Sequence, residues 1–372
     1  MRRTVAHYTD ATAYGGAERA LLTLCAGLDS ASWRQLLVHR PEAPVRLIGE
    51  AAALGVETRV TGGVERGRDL AGLHKLTRLL LAERAVVLHA HLPWPLRCTR
   101  GLVAAMLART TAIIATQQLY ATLPLRRRLR QRALSQGVHR YIAVSQAMAD
   151  EMTRDRVVPL RKLRVVRNSV PTQAVESPAD PALRFMLSGG NDRPIVLTLA
   201  RLFWRKGLGT LLDAAAMVPE AAFAIAGEGE ERPMLEARIR ELGLQQRVRL
   251  LGQRNDIPAL LASSDIFVLP SMREGLPISV LEAMAANRPV IATAIPGTTE
   301  IVTAEETGLL FPPGEARPLA EALRRLLGDP SLRHRLTRAA RVRVQEEFSA
   351  EIMTRQVEKI YEEVLGQGRG RP

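Results

Sequence analysis

Short apolar runs alternate with longer amphipathic stretches along almost the whole chain, and the alternation occurs twice. The first series of apolar runs is Thr4–Tyr8, Gln35–His39, Val56–Val60, Val86–His89, Ala112–Thr116, Tyr141–Val144 and Leu163–Val166. Helix-like stretches such as Glu18–Leu28, Leu70–Ala82, Gly101–Ala108 and Gln146–Met152 lie between them. Around Pro171–Asn191 the pattern breaks into PTQAVESPADP and then SGGND, which reads as a linker by composition. A second series follows: Ile195–Leu199, Ala222–Ala226, Val248–Leu251, Ile266–Leu269 and Val290–Thr293. Its helices are predicted at Leu208–Met217, Arg232–Leu242, Ile257–Ala262, Ile278–Ala285 and Ala316–Leu327. Strands separated by helices of this length build parallel βαβ units, so each series predicts a doubly wound α/β sheet. A last helix-like stretch, Ala350–Leu365, follows no further strand, and its packing partner is not set by the pattern.

A chain of 372 residues is long for one domain and comfortable for two. With 47% hydrophobic and 24% charged residues it has an ordinary globular composition, which excludes disordered and collagen-like classes. No apolar run approaches the roughly eighteen residues that cross a bilayer. The start MRRTVAHYTDAT has no apolar stretch behind its arginines, so it does not read as a secretory signal. The two cysteines, Cys25 and Cys98, sit in apolar segments and read as buried thiols of a reducing compartment. These features together predict a cytoplasmic protein.

The formal charge of +14 is unevenly placed. Residues 1–180 hold 27 Lys+Arg against 14 Asp+Glu, whereas residues 181–372 hold 25 against 24. The basicity is densest at LRRRLRQR, Leu125–Arg132. Such a face suits a phospholipid surface, a diphosphate-linked substrate or nucleic acid. The plain alternative is general arginine enrichment, because only Lys75, Lys162, Lys206 and Lys359 are lysines. Nucleic acid fits poorly: aromatic content is 4%, and residues 101–150 offer no stacking platform. The arginines beside Leu123, Leu125, Leu129 and Leu134 instead support a peripheral contact with an anionic membrane at its inner face and a lipid-linked acceptor. A soluble acceptor and a solvated face explain the same residues.

Four loops that follow strands carry candidate chemistry. Tyr14-Gly-Gly-Ala-Glu-Arg19 opens a helix after the first strand, where Gly15 and Gly16 can take positive φ and helix N–H groups can meet an anion. Leu199-Ala-Arg-Leu-Phe-Trp-Arg-Lys-Gly207 places Arg201 and Lys206 on one strand-to-helix loop, able to converge on a diphosphate. Gly227-Glu-Gly-Glu-Glu-Arg-Pro233 starts like a dinucleotide fingerprint but has Arg232 at the third glycine and acids where pyrophosphate would sit, so it reads as a turn. The fourth, Asp265–Glu282, runs from a buried strand through Glu274 and Gly275 to a helix opened by Pro277, with Glu282 eight residues after Glu274. Ionised carboxylates there can accept hydrogen bonds from sugar and ribose hydroxyls.

The block FVLPSMREGLPISVLEAMAANRPVIAT, with its E-x7-E spacing, resembles the retaining family 4 glycosyltransferases of GT-B architecture, the glycosyl transferases group 1. The Gly15-Gly16 loop, Arg201 with Lys206, the segment Val165–Val170 and Gly308-Leu-Leu-Phe-Pro-Pro313 match in order. The resemblance implies two Rossmann-like doubly wound domains facing across a cleft. It implies an N-terminal acceptor-side domain over 1–175, joined by a returning helix 350–366, and a C-terminal donor-binding domain over 185–349. It makes Glu282 the ribose-contacting acid and Glu274 the contact to the donor sugar. Arg201 and Lys206 would hold the diphosphate, Gly16 would supply backbone N–H, and Arg254 would border the nucleobase. Gly275, Leu276 and Pro277 would border the sugar and phosphates. The expected reaction is hexosyl transfer from a nucleoside-diphosphate sugar, a UDP-sugar ahead of GDP-mannose, to a hydroxyl acceptor in glycan, glycolipid or polysaccharide synthesis. No Asp-x-Asp motif is present, so no metal and no cofactor is expected. His89 and His91 can share one strand face but lack a carboxylate partner.

Two departures stand out. The family often has a histidine after the fifth strand, where this chain reads Ala115-Thr-Gln-Gln-Leu-Tyr120, and a glutamine amide cannot exchange a proton. Asn168 is followed by Ser169 where glycine is usual. The competing reading is therefore a catalytically idle nucleotide-sugar-binding protein on the same fold.

Overall fold

Strands whose residues are apolar on both faces can only be satisfied inside a layered α/β structure, and that is what the chain builds. The computed structural model describes residues 2–61, 70–172 and 177–368. The chain divides into two compact units, Met1–Ser169 with Ala350–Pro372, and Val170–Ser349. The boundary expected at residue 175 lies outside the described residues.

Unit 1 runs β1 (Arg3–Tyr8), α1 (Gly16–Gly27), β2 (Trp33–His39), α2 (Val45–Ala53), β3 (Glu57–Val60), α3 (Leu70–Ala82) and β4 (Ala85–Leu92). It continues α4 (Thr99–Leu107), β5 (Ala112–Gln117), α5 (Leu125–Gln136), β6 (Arg140–Ala143), α6 (Gln146–Arg154) and β7 (Leu163–Val165). The sheet order is β3-β2-β1-β4-β5-β6-β7, and every pairing is parallel. All seven predicted strands of the first series are present.

Unit 2 runs α7 (Pro181–Ser188), β8 (Ile195–Leu199), α8 (Leu208–Met217), β9 (Ala222–Ala226), α9 (Arg232–Glu241), β10 (Val248–Gly252), α10 (Ile257–Ala262) and β11 (Ile266–Leu269). It ends α11 (Ile278–Ala285), β12 (Val290–Thr293), β13 (Leu309–Phe311), α12 (Ala316–Gly328) and α13 (Pro330–Glu347). Its sheet order is β10-β9-β8-β11-β12-β13, again parallel throughout. Val196, Phe223, Ile225, Val268 and Ile291 from the strands pack with Leu212, Leu235 and Leu323 from the helices in one core.

Three elements correct the sequence reading. The supposed linker contains α7, capped by Asp180, whose carboxylate accepts from the N–H groups of Ala182 and Leu183, with Pro181 in the first turn. Leu183 and Leu187 are buried, so unit 2 begins well before residue 185. The sheet has a sixth strand, β13, and helix α13 buries only the narrow row Leu332, Leu336, Ala340 and Val344.

The last helix, α14 (Ala350–Gly368), belongs to unit 1. Its row Met353, Val357, Ile360, Tyr361 and Val364, at helical spacing, joins Val5, Leu24, Trp33 and Ile114 in the core of that unit.

Candidate active site

In an open parallel sheet, ligands bind beyond the carboxyl ends of the strands where the strand order reverses, because the loops there diverge. In unit 2 that point lies between β8 and β11, which pair directly through Ile266 with Val196 and Phe267 with Leu197. The loops leaving them are residues 200–207 and 270–277, the two segments richest in predicted site residues.

The structure brings these loops together. Lys206 Nζ donates to Glu274 Oε1 at 2.5 Å, and Ser271 Oγ donates to the same oxygen at 2.6 Å. Thr293 Oγ1 from β12 donates to the Ser271 carbonyl at 2.6 Å, and Met272 N–H to the Arg205 carbonyl at 2.7 Å. The ammonium and carboxylate are thus fixed from three strands, with side-chain exposures of 25% and 10%, low enough for charge to count and open enough to meet a ligand. Gly207 closes the first loop at φ +61°, and a Cβ there would collide with the Pro270 carbonyl, so only glycine lets the loops meet.

The turn at Gly227–Glu231 has a role that sequence reasoning missed. Leu202 N–H donates to the Glu228 carbonyl and Glu231 N–H to the Leu202 carbonyl, both at 3.0 Å. A Cβ at Gly227 or Gly229 would strike the carbonyls of Ala200 or Leu202. The glycines serve close packing against the Arg201 loop. Their position after a strand fits the turn read from the sequence, but the packing partner lies on another loop.

The remaining predicted residues fall into groups. Arg201 is exposed on the first loop. Gly275 and Pro277 are buried in the second, as is Leu276 at 3% exposure. Pro277 occupies the cap position of α11 rather than the first helical position expected, and it provides no side-chain cap to the N–H groups behind it. Every residue of α11 is buried, Glu282 included, so Glu282 is not a solvated surface acid. Arg254, just beyond β10, is held by Asp256 through two bonds, Nε to Oδ1 at 2.8 Å and Nη2 to Oδ2 at 2.5 Å.

Gly16 belongs to unit 1, as the first residue of α1. The positive φ open to these glycines is not used: Gly15 is extended at φ −160°, and neither glycine is among the residues with positive φ. Glu18 explains why, since its Oε2 accepts from Gly15 N–H at 2.8 Å and caps the helix from within.

Unit 1 reverses its strand order between β1 and β4, and there polar side chains are buried together. Asp10, fully buried, accepts from Cys98 N–H at 2.9 Å and from Arg97 Nε at 3.2 Å, which fixes the positive-φ residues Leu96 and Cys98 ahead of α4. His91 is joined by His89 and also by His7, which β1 sets opposite His89. His7 Nδ1 and His91 Nε2 lie 3.2 Å apart, and His89 bonds the Tyr361 hydroxyl through Nδ1 and Thr116 Oγ1 through Nε2, both at 2.6 Å. Burial pushes His7 down to about 4 and holds His89 and His91 well below the usual histidine value. Both nitrogens of His89 are engaged, so the cluster is a neutral hydrogen-bonded network tying α14 to the sheet. His7 was missed because alignment of β1 with β4 is a tertiary fact.

The two glutamines differ. Gln117 is buried and its Nε2 donates to the Leu119 carbonyl at 2.8 Å. Gln118 is part-exposed, and its Oε1 accepts from Asn168 Nδ2 at 2.9 Å. The loop lacking the family histidine is therefore bonded to the loop carrying Ser169. On α5, Leu125 and Leu129 are exposed among arginines, whereas Leu123 is buried and plays no part in that face. Among the described residues, no helix is long and apolar enough to cross a membrane.

Two parallel doubly wound units in one chain are the architecture of the GT-B class. A solved structure of Anabaena HepE in complex with UDP-glucose overlays with a TM-score of 0.85 at 21% identity, covering 97% of this chain and 99% of that one. The family model for glycosyl transferases group 1 matches residues 181–343, and that for glycosyltransferase family 4 matches residues 14–174. The chain belongs to this family. It is 33% identical over 224 residues to the alpha-D-kanosaminyltransferase of Streptomyces kanamyceticus, 58% of each chain. It is 35% identical over 177 residues to the N,N'-diacetylbacillosaminyl-diphospho-undecaprenol alpha-1,3-N-acetylgalactosaminyltransferase of Campylobacter jejuni, 47% of this chain and 46% of that one. The matches span about half the length of these curated relatives.

Proposed function

We propose that the chain is a retaining glycosyltransferase that moves a sugar from a nucleoside-diphosphate sugar, a UDP-sugar ahead of GDP-mannose, to a hydroxyl acceptor without a metal ion. The observation that carries this reading is the Lys206–Glu274 pair at the β8/β11 switch point with Arg201 on the same loop. As the anomeric C–O bond breaks, negative charge builds on the departing diphosphate. Arg201, Lys206 and the N–H groups opening α11 are fixed cations and dipoles that stabilise it. Glu274, acceptor-only when ionised, receives donor-sugar hydroxyls and, through Lys206, keeps the ammonium aimed. Glu282 reaches the ribose, and Arg254 borders the base. The departing phosphate oxygen, on the face the acceptor attacks, takes the acceptor proton, which removes the need for a protein base at Gln118. The names of the relatives and the UDP-glucose complex of the structural neighbour support the donor assignment.

The acceptor is a glycan or a lipid-linked sugar. Exposed Leu125 and Leu129, one helical turn apart among the arginines of α5, favour approach to an anionic membrane, as does the diphospho-undecaprenol in the Campylobacter relative's name. The second reading, an idle donor-binding protein, is favoured by one observation, the Gln118–Asn168 bond at the place of the family histidine.

The test is release of nucleoside diphosphate from UDP-glucose, UDP-N-acetylglucosamine, UDP-galactose and GDP-mannose with excess EDTA. Turnover of at least one donor, even slow hydrolysis, is expected. Binding without turnover of any donor would establish the idle reading, and turnover only after adding magnesium would overturn metal independence.

A further inference from the structure

Between Arg201 and Lys206 the chain places Trp204, 60% exposed, in a short 3-10 turn over Trp204–Lys206. Trp33, by contrast, is buried at 2% exposure. A single exposed apolar side chain is ordinary and by itself says nothing. This one is braced. Phe203 lies beside it with ring centroids 5.9 Å apart, and the Arg205 guanidinium sits 4.7 Å from the Phe203 ring and 5.7 Å from the Trp204 ring. The turn that holds them is pinned by the bond from Met272 N–H to the Arg205 carbonyl and by the glycine-only geometry at Gly207. Met272, 42% exposed, extends the apolar surface on the side of the second loop.

We propose that Trp204, backed by Phe203 and Arg205, is a stacking platform for a pyranose ring of the acceptor. The inference rests on the donor-site reading above and deepens it. The chemistry is complementary on both sides: a pyranose presents an apolar C–H face that matches an indole, and hydroxyls at its rim that accept from a guanidinium. The part-buried Lys206 and Glu274 already meet the donor. The exposed ring one turn outward on the same loop is left for a partner that arrives and leaves with each turnover. Immobilising the ring in the protein beforehand lowers the ordering cost of that transient contact.

The experiment follows the indole N–H signals of the 15N-labelled full chain, with W204F identifying the Trp204 signal. The protein is held with UDP or GDP, whichever raises its melting temperature, and titrated with methyl α- and β-glucopyranoside, methyl galactopyranoside and maltose at millimolar concentrations. The Trp204 signal should move with at least one glycoside and not with the nucleotide alone. W204A should show the same nucleotide-induced melting shift as wild type, and a sugar acceptor should show KM raised about tenfold, the scale of one aromatic stack. Movement on nucleotide addition alone would assign the ring to the base, and movement only with anionic phospholipid vesicles would assign it to a membrane. Nucleotide binding with no glycoside response would end the proposal and leave the donor site standing. Failure of every nucleotide to bind would instead remove the site on which it rests.

Discussion

The same topological feature occurs twice in this molecule with opposite chemistry. At the β8/β11 switch point of unit 2, Lys206 and Glu274 hold a charged pair from two loops, and Arg201 and Trp204 are exposed on the first of these loops. At the β1/β4 switch point of unit 1, Asp10 is consumed by Arg97 and Cys98 and His7 is set against His91 in a buried imidazole cluster, while Gln118, just after β5, is bonded to Asn168. One end carries a part-exposed ion pair, and the other buries its acid and its imidazoles. A shared fold therefore does not imply a shared task. Charge development in the proposed reaction falls on the donor diphosphate, so electrostatic stabilisation is needed there. In the same reading the acceptor hydroxyl needs only to be positioned.

This contrast can be broken by mutation. Lys206→Ala should lower donor turnover by about 10²–10³-fold, the scale of losing one preorganised charge-stabilising donor. Gln118→Ala should lower it by less than about tenfold and should raise acceptor KM rather than lower kcat, because it loses one neutral hydrogen bond. Steady-state kinetics of both variants against the same donor decide the matter, and equal losses would erase the distinction.

Acid should separate the two units by stability. His7 titrates near 6.5 when unfolded and about 4 when folded, so between these values the unfolded state binds more protons. Its contribution is complete above about pH 6.5 and disappears as pH falls toward 4, about 3 kcal/mol in all. His89 and His91 shift in the same direction. Calorimetry between pH 7 and pH 4.5 should show the unit 1 transition moving down further than that of unit 2. Parallel movement would mean the imidazoles are solvated. Gly207→Ala tests the other unit. Forcing a Cβ into φ +61° against the Pro270 carbonyl costs at least about 1–3 kcal/mol, and the loss should appear in the unit 2 transition alone.

The strands were legible because buried parallel strands leave dense apolar runs, as in Ile266–Leu269 and Val290–Thr293. The three-residue β13 carries too little signal. Helix α7 is hidden by the Pro, Ser and Gly around it, whose composition resembles a linker, although Asp180-Pro181 and Gly189 are helix start and stop signals. Lys206 and Glu274, which the structure brings together, stand out in the sequence because strand-to-loop position and residue type coincide. Asp10, His7 and the glycines packed on Leu202 could not, since their partners lie on other strands and loops, and no spacing within one segment reports such a pairing. The extended φ of Gly15 is invisible for a related reason: the Glu18 cap, not a left-handed turn, shapes that loop.

The most direct measurement is thermal unfolding of the wild-type chain and Lys206→Ala with UDP, GDP, ADP, dTDP and CMP, each with EDTA. A diphosphate at about 100 times its Kd adds roughly 2.7 kcal/mol to the state that binds it. The account predicts that one diphosphate raises the unit 2 transition of the wild type, that CMP does not, and that the shift collapses in Lys206→Ala. An undiminished shift in the variant, or none with any nucleotide in the wild type, would contradict it.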